Sequence, residues 1–184
     1  MAMNLKIIAD MVAILKNIPR TGWLQKGIPP YEAETVAEHT FEVASIATIL
    51  SLKVDGEIDK AKMLEMSIIH DISEASIGDI PKALTDRIGK KAKIETEQET
   101  IEELSRSSGL IEFKSLFDEY VNRKSREAIL VKISDLTATI RQAKIYRDRG
   151  FPVQEILESC EEELDELLKV LSNEHVNQVI DELI

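Results

Sequence analysis

His70 and Asp71 stand side by side in the run Ile68-Ile69-His70-Asp71-Ile72-Ser73-Glu74-Ala75, and Gly78-Asp79-Ile80-Pro81 follows directly. An adjacent imidazole and carboxylate bring two groups that can hold a metal or move a proton to one point. Glu74 comes four positions after His70 and three after Asp71, so on a helix it shares their side. Ionisable groups set among isoleucines are costly to bury unless they are paired or bind a cation. The run therefore predicts a buried site.

Two further residues can join it. His39 lies in the middle of the apolar stripe Val36, Val43, Ile46, Leu50, and Asp135 sits beside the stripe Ile129, Ile133, Leu136, Ile140. Taken singly, His39 is an ordinary hydrogen-bonded core histidine and Asp135 is the partner of Lys132, three residues earlier. Taken together, His39, His70, Asp71 and Asp135 supply two imidazoles and two carboxylates from three predicted helices. That mixed nitrogen and oxygen set suits a divalent transition ion such as Mn²⁺, Fe²⁺, Co²⁺, Ni²⁺ or Zn²⁺. Four protein ligands on a six-coordinate ion leave positions for water and substrate. Such an ion lowers the pKa of bound water from about 16 toward about 7, and Glu74 is close enough along the helix to orient that water or take its proton. No serine or cysteine triad is available, because both inward histidines are already used. No glycine-rich phosphate loop is present either.

The elements that must position these groups read as helices. Glycine and proline are scarce, at 7 and 5 of 184 residues, and helix-forming residues dominate, so the chain is expected to be all-α and a single helical domain over 1–184. The patterning predicts helices over 4–18, from Glu34 or Thr35 to Lys53, 60–73, 111–120 and 125–149, and a last long one from Pro152 with a short tail to Ile184. Helix 60–73 reads as the central one, buried on several sides through Leu64, Met66, Ile68, Ile69 and Ile72. Residues 19–31 read as an ordered connecting loop containing Arg20 and Trp23, and 82–105 as a solvated outer helix or helix pair. The Leu164, Leu168, Leu171 seam is either a dimer contact or an intramolecular core face.

A formal charge of −11 disfavours a nucleic-acid polymer as partner and means that an anionic substrate must be captured locally. One cysteine, Cys160, fits a reducing compartment, and no apolar run approaches the ~20 residues that span a bilayer, so a cytoplasmic protein with no membrane partner is expected.

The order His39, His70-Asp71, Asp135 resembles the HD-domain metal-dependent phosphohydrolases. The surrounding stretches Pro19-Arg20-Thr21-Gly22-Trp23-Leu24, Thr35-Val36-Ala37-Glu38-His39, Gly78-Asp79-Ile80-Pro81 and Val131-Lys132-Ile133-Ser134-Asp135 are similar to the 5′-deoxynucleotidase branch, which includes HD domain-containing and oxetanocin-like proteins. The resemblance covers about 15–147, with helices from 152 to 184 beyond it. It implies an all-helical homodimer of the HD-domain type that removes phosphate from nucleoside 5′-monophosphates with Co²⁺, Mn²⁺, Cu²⁺ or a related ion. It further implies that His39, His70, Asp71 and Asp135 bind metal, that Arg20 orients the phosphate and that Glu74 serves the attacking water. Asp79, Ile80, Pro81 and Lys82 would contact substrate, as would Asp71 and Asp135, with Asp79 touching the sugar or helping the 5′-oxygen leave. Trp23 is carried over as a substrate contact, although some members have tryptophan directly after the arginine. The same ligand set also serves phosphodiesterases and triphosphohydrolases, and a non-catalytic nucleotide-sensing dimer is the alternative of a different class.

Overall fold

The computed structural model describes residues 4–184, and among these residues the chain is all-α, with no strand. The helices are α1 (Lys6–Leu15), α2 (Thr21–Gln25), α3 (Val36–Lys53), α4 (Lys60–Ile69), α5 (Glu74–Ile77), α6 (Lys82–Ile88), α7 (Lys90–Ser108), α8 (Glu112–Val121), α9 (Arg126–Asp148), α10 (Gln154–Leu171) and α11 (Glu174–Leu183).

The central helix is α9, not the 60–73 segment. Leu130, Val131, Ile133, Ala138 and Ile140 are buried all around α9, which packs on α3, α4 and α10. By contrast Leu64 and Ile68 on α4 are exposed, because α4 covers only one side of α9. The larger core joins α3, α4, α9, α10 and α11, and Leu164 and Leu167 are buried in it, with Leu168 and Leu171 packed alongside. The leucine seam is thus an intramolecular face. A second core gathers Met11 and Leu15 of α1, Val36, Ile69, Ile72, Ile101, Leu104 and Phe117. On α1 Met11 and Leu15 face this core, with Ile8 packed alongside, while Leu5 and Val12 are exposed.

Two local devices set the site. Thr35 opens α3 with a reciprocal cap: its hydroxyl accepts from the Glu38 N–H at 3.2 Å, and the Glu38 carboxylate accepts from the Thr35 N–H at 2.7 Å. That start places His39 one turn inside α3. The second device ends α4 at Ile69, so His70 and Asp71 lie in a turn and not in mid-helix. The backbone tightens there to three-residue bonds, Ile72 N–H to Ile69 O at 3.1 Å and Glu74 N–H to Asp71 O at 3.0 Å. Glu74 then begins the separate α5, and Gly78, at φ +77°, turns the chain out of it.

Candidate metal centre

The four expected ligands converge. Nitrogens of His39 and His70 and a carboxylate oxygen of Asp135 lie within 4.8 Å of one another, all three residues buried. Asp71 Oδ2 is 2.9 Å from His70 Nε2 and 3.8 Å from His39 Nε2. Metal bonds to such groups run about 2.0–2.2 Å, so neighbouring ligands around one ion sit roughly 3 Å apart. Three helix ends or faces meet here: the first turn of α3, the turn after α4 and the middle of α9.

Donor chemistry tests whether a cation belongs between them. His70 Nδ1 lies 2.7 Å from the Ser67 carbonyl, which can only accept, so Nδ1 carries the ring proton. In the neutral ring Nε2 is then a bare lone pair. It is buried, makes no hydrogen bond, and faces another lone-pair atom, Asp71 Oδ2. Two acceptors at that distance require a cation, either a proton or a metal. Without metal a proton fills the role: burial opposes charge on His70, but the Asp71 carboxylate, then Asp135, hold its pKa above the ordinary value. A divalent ion fits the same place.

His39 is bound differently. Arg20 Nη1 donates to His39 Nδ1 at 2.9 Å and to Thr139 Oγ1 at 3.1 Å. Because arginine cannot accept, the His39 proton sits on Nε2, which donates to Asp135 Oδ1 at 3.0 Å. The other oxygen of Asp135 accepts from Lys132 Nζ at 2.8 Å and Tyr120 Oη at 3.2 Å. Burial would raise the Asp135 pKa, but Lys132 and the two histidines hold it well below the carboxylate range. Asp71 is held low in the same way, its burial outweighed by His70 and His39. The Lys132 pairing read from the sequence is present, and it supports the site.

Around this centre stand the residues expected to handle substrate. Burial disfavours charge on Arg20, yet Glu34, Asp135, Asp71 and Asp79 together raise its pKa and keep it cationic. Its position depends on a short antiparallel contact: Arg20 N–H donates to Glu34 O at 2.8 Å and Val36 N–H to Ile18 O at 2.9 Å, on either side of a Pro19–Thr35 bridge. The segment read as loop contains α2, whose first amide, on Thr21, donates to the Asp79 carboxylate, and Thr21 Oγ1 donates to Asp79 O at 3.0 Å. Glu74 is buried, and its Oε2 has no hydrogen-bond partner. Burial, then Asp71 and Asp79, push its pKa well above the usual value. Ile80 and Pro81 are half-buried beside Asp79, whereas Lys82 turns to solvent and pairs with Asp86 at 3.0 Å.

Trp23 is not on the open side of the site. It is 2% exposed, stacks edge-on against Tyr146 at 5.1 Å and donates its indole N–H to Glu34 Oε2 at 3.0 Å. The indole therefore lies inside the core against Glu34 and Tyr146, which corrects its expected direct contact with substrate. Sequence reading missed Glu34, Tyr120 and Thr139, which touch His39, Asp135 or Arg20 from other elements. It also assigned no chemistry to the acidic run on α7, where Lys93 and Glu97 pair at 3.4 Å. Burial opposes charge on Lys93, but Glu97, Asp71 and Glu74 raise its pKa. The alternation of Lys93 and Glu97 four apart was the available signal.

An all-helical protein with an imidazole and carboxylate cluster fitted to a divalent cation is the class defined by this geometry. The HD domain family model matches residues 12–174, reaching beyond the 15–147 resemblance into α10 and α11. The 5′-deoxynucleotidase HDDC2 of Dictyostelium discoideum is 36% identical over 140 residues, 72% of this chain and 72% of the relative. The 5′-deoxynucleotidase HDDC2 of Danio rerio is 30% identical over 190 residues, 96% of this chain and 90% of the relative. A conserved hypothetical protein of known structure from Pyrococcus furiosus aligns with a TM-score of 0.82 at 32% identity, covering 96% of both chains. The chain belongs to the HD domain family.

Proposed function

We propose that this protein is a metal-dependent phosphohydrolase that removes phosphate from nucleoside 5′-monophosphates, deoxyribonucleotides foremost. The observation carrying this reading is the approach of His70 Nε2 to Asp71 Oδ2 at 2.9 Å, which demands a proton or a metal between them, with the cationic Arg20 held next to His39. Similarity to relatives named 5′-deoxynucleotidase supports the substrate class. In this reading His39, His70, Asp71 and Asp135 hold one divalent ion of the Co, Mn, Ni, Zn, Fe or Cu group, which supplies Lewis-acid polarisation and acidified water.

The chain's own groups do the rest. Arg20 offers paired N–H donors to the phosphate oxygens and fixes the phosphorus in line for attack. In its ionised form Glu74 receives the proton that water loses as its oxygen bonds to phosphorus, and burial beside Asp71 and Asp79 gives its carboxylate a raised affinity for that proton. The bond from phosphorus to the 5′-oxygen breaks, and that oxygen takes up the proton that Glu74 accepted from water, leaving as the nucleoside hydroxyl and returning Glu74 to its ionised form. Asp79, tied to the start of α2, contacts the sugar or assists that departure, with Ile80, Pro81 and Lys82 further along the same wall. Asp71 and Asp135 border the substrate as well as the ion.

The reading treats 1–184 as one HD-type domain acting in the cytoplasm as a homodimer. No helix among the described residues is long and apolar enough to cross a membrane. The exposed Phe41, Ile49 and Leu52 on α3 support a second copy as partner. The experiment is phosphate release with Mn²⁺, Co²⁺ or Zn²⁺ across deoxyribo- and ribonucleoside 5′-monophosphates. Turnover of monophosphates is expected, deoxy forms first. Metal uptake without turnover of any monophosphate would overturn the substrate class and favour nucleotide sensing.

A further inference from the structure

His39 cannot meet a cation in the state found here, because its Nε2 carries the proton that it donates to Asp135 Oδ1. For His39 Nε2 to give its lone pair to a cation, the ring proton must move to Nδ1. Nδ1 then becomes a donor, and it faces Arg20 Nη1, which is only a donor, at 2.9 Å. That contact has to break. The acceptor within reach is Glu34, whose Oε1 lies 3.8 Å from His39 Nδ1. A closure of about 1 Å reaches the usual hydrogen-bond distance.

Glu34 is built for a fixed role. Its side chain is 5% exposed, and Oε2 accepts from Trp23. Its backbone N–H donates to Tyr146 Oη at 2.8 Å, and its carbonyl accepts from Arg20 N–H. Oε1 is the one side-chain oxygen left to take a new donor, and Oε2 is 3.8 Å from Arg20 Nη1. A carboxylate behind a ligating histidine fixes its tautomer and strengthens it as a ligand.

We propose that Glu34 is the positioning residue of His39: it replaces Arg20 as the partner of Nδ1 when the site is loaded, and so couples cation binding to release of Arg20 toward the substrate phosphate. This rests on the metal-site reading above. Imidazole ¹⁵N spectra of the wild-type protein, free and with Zn²⁺, test it without turnover. The free protein is expected to show His39 protonated at Nε2, and the Zn²⁺ form to show the proton on Nδ1 in a hydrogen bond that shifts in Glu34→Gln. By chelator competition, Glu34→Gln should weaken Zn²⁺ binding ~10–100-fold. Phe117→Leu, in the second core and not against Glu34, should lower thermal stability and leave Zn²⁺ affinity near wild type. A His39 proton still on Nε2 in the Zn²⁺ form, unchanged affinity in Glu34→Gln, or equal weakening by Phe117→Leu would overturn the role of Glu34 while leaving the metal site standing. A wild-type protein that takes up no divalent ion overturns both.

Discussion

The two histidines occupy opposite situations in the same cluster. His39 has both ring nitrogens engaged, one by Arg20 and one by Asp135, and needs nothing more. His70 has one nitrogen tied to the Ser67 carbonyl of α4 and the other set 2.9 Å from the Asp71 carboxylate, where only a proton or a metal can sit. One side of the centre is therefore closed by its own hydrogen bonds, while the other is left open for a cation. The lesson is that the open side should govern whether an ion binds, and the closed side what the ion's arrival changes.

Removing the open side should have the largest effect. His70→Ala should lose metal by more than the ~10–100-fold expected for an outer hydrogen-bond partner, and phosphate release should fall to background. Metal analysis by equilibrium dialysis checks it. Next comes Glu74→Ala, which should keep its metal and lose turnover by ~10²-fold or more; loss of metal in that variant would make Glu74 a ligand. Arg20→Ala touches the closed side. The loss of a charged hydrogen bond, about 1.5–3 kcal/mol, predicts a fall in kcat/KM of roughly 10–10²-fold, and steady-state kinetics at saturating metal measure it.

A smaller effect appears in stability. The folded-state pKa of Glu74 is raised by burial and by Asp71 and Asp79. A carboxyl with a raised folded value contributes fully below its unfolded pKa and loses that contribution as pH climbs through the folded value. In metal-free protein, Glu74→Gln should therefore match wild type near pH 4 and unfold at a higher temperature than wild type as pH rises. Parallel melting curves across pH would contradict the buried, partnerless carboxyl. Smallest of all, Tyr120→Phe removes one donor to Asp135 and should cost about 1 kcal/mol or less, because Lys132 and His39 remain.

The convergence of these side chains was legible in the sequence because inward residue types on apolar stripes are a local signal: His39 on α3 and Asp135 on α9 both lie where the 3.6-residue period put them. The end of α4 was not. Ile68, Ile69 and Ile72 continue a helical pattern through 70–73, and nothing in residue type announces that the backbone tightens there. Periodicity also overstated α4, since it shows that a face is apolar but not whether a neighbour covers it; α9, with small Ala138 and Ala143 among larger residues, took the centre. Glu34 escaped notice because its importance comes from a 19-to-35 chain contact that no local pattern encodes. Tyr120 did so because it belongs to α8, a helix assigned only to packing. Trp23 was misplaced because its indole turns inward to Glu34 and Tyr146, which a position in a motif does not encode.

The account's central claim is that one divalent ion sits between the open His70–Asp71 side and the closed His39–Asp135 side. Zn²⁺ titration of metal-stripped wild type and His70→Ala, followed by competition with a chromophoric chelator, tests it directly. Saturable binding in wild type and its loss in His70→Ala are predicted. Equal uptake by the two proteins, or none by wild type, would contradict it.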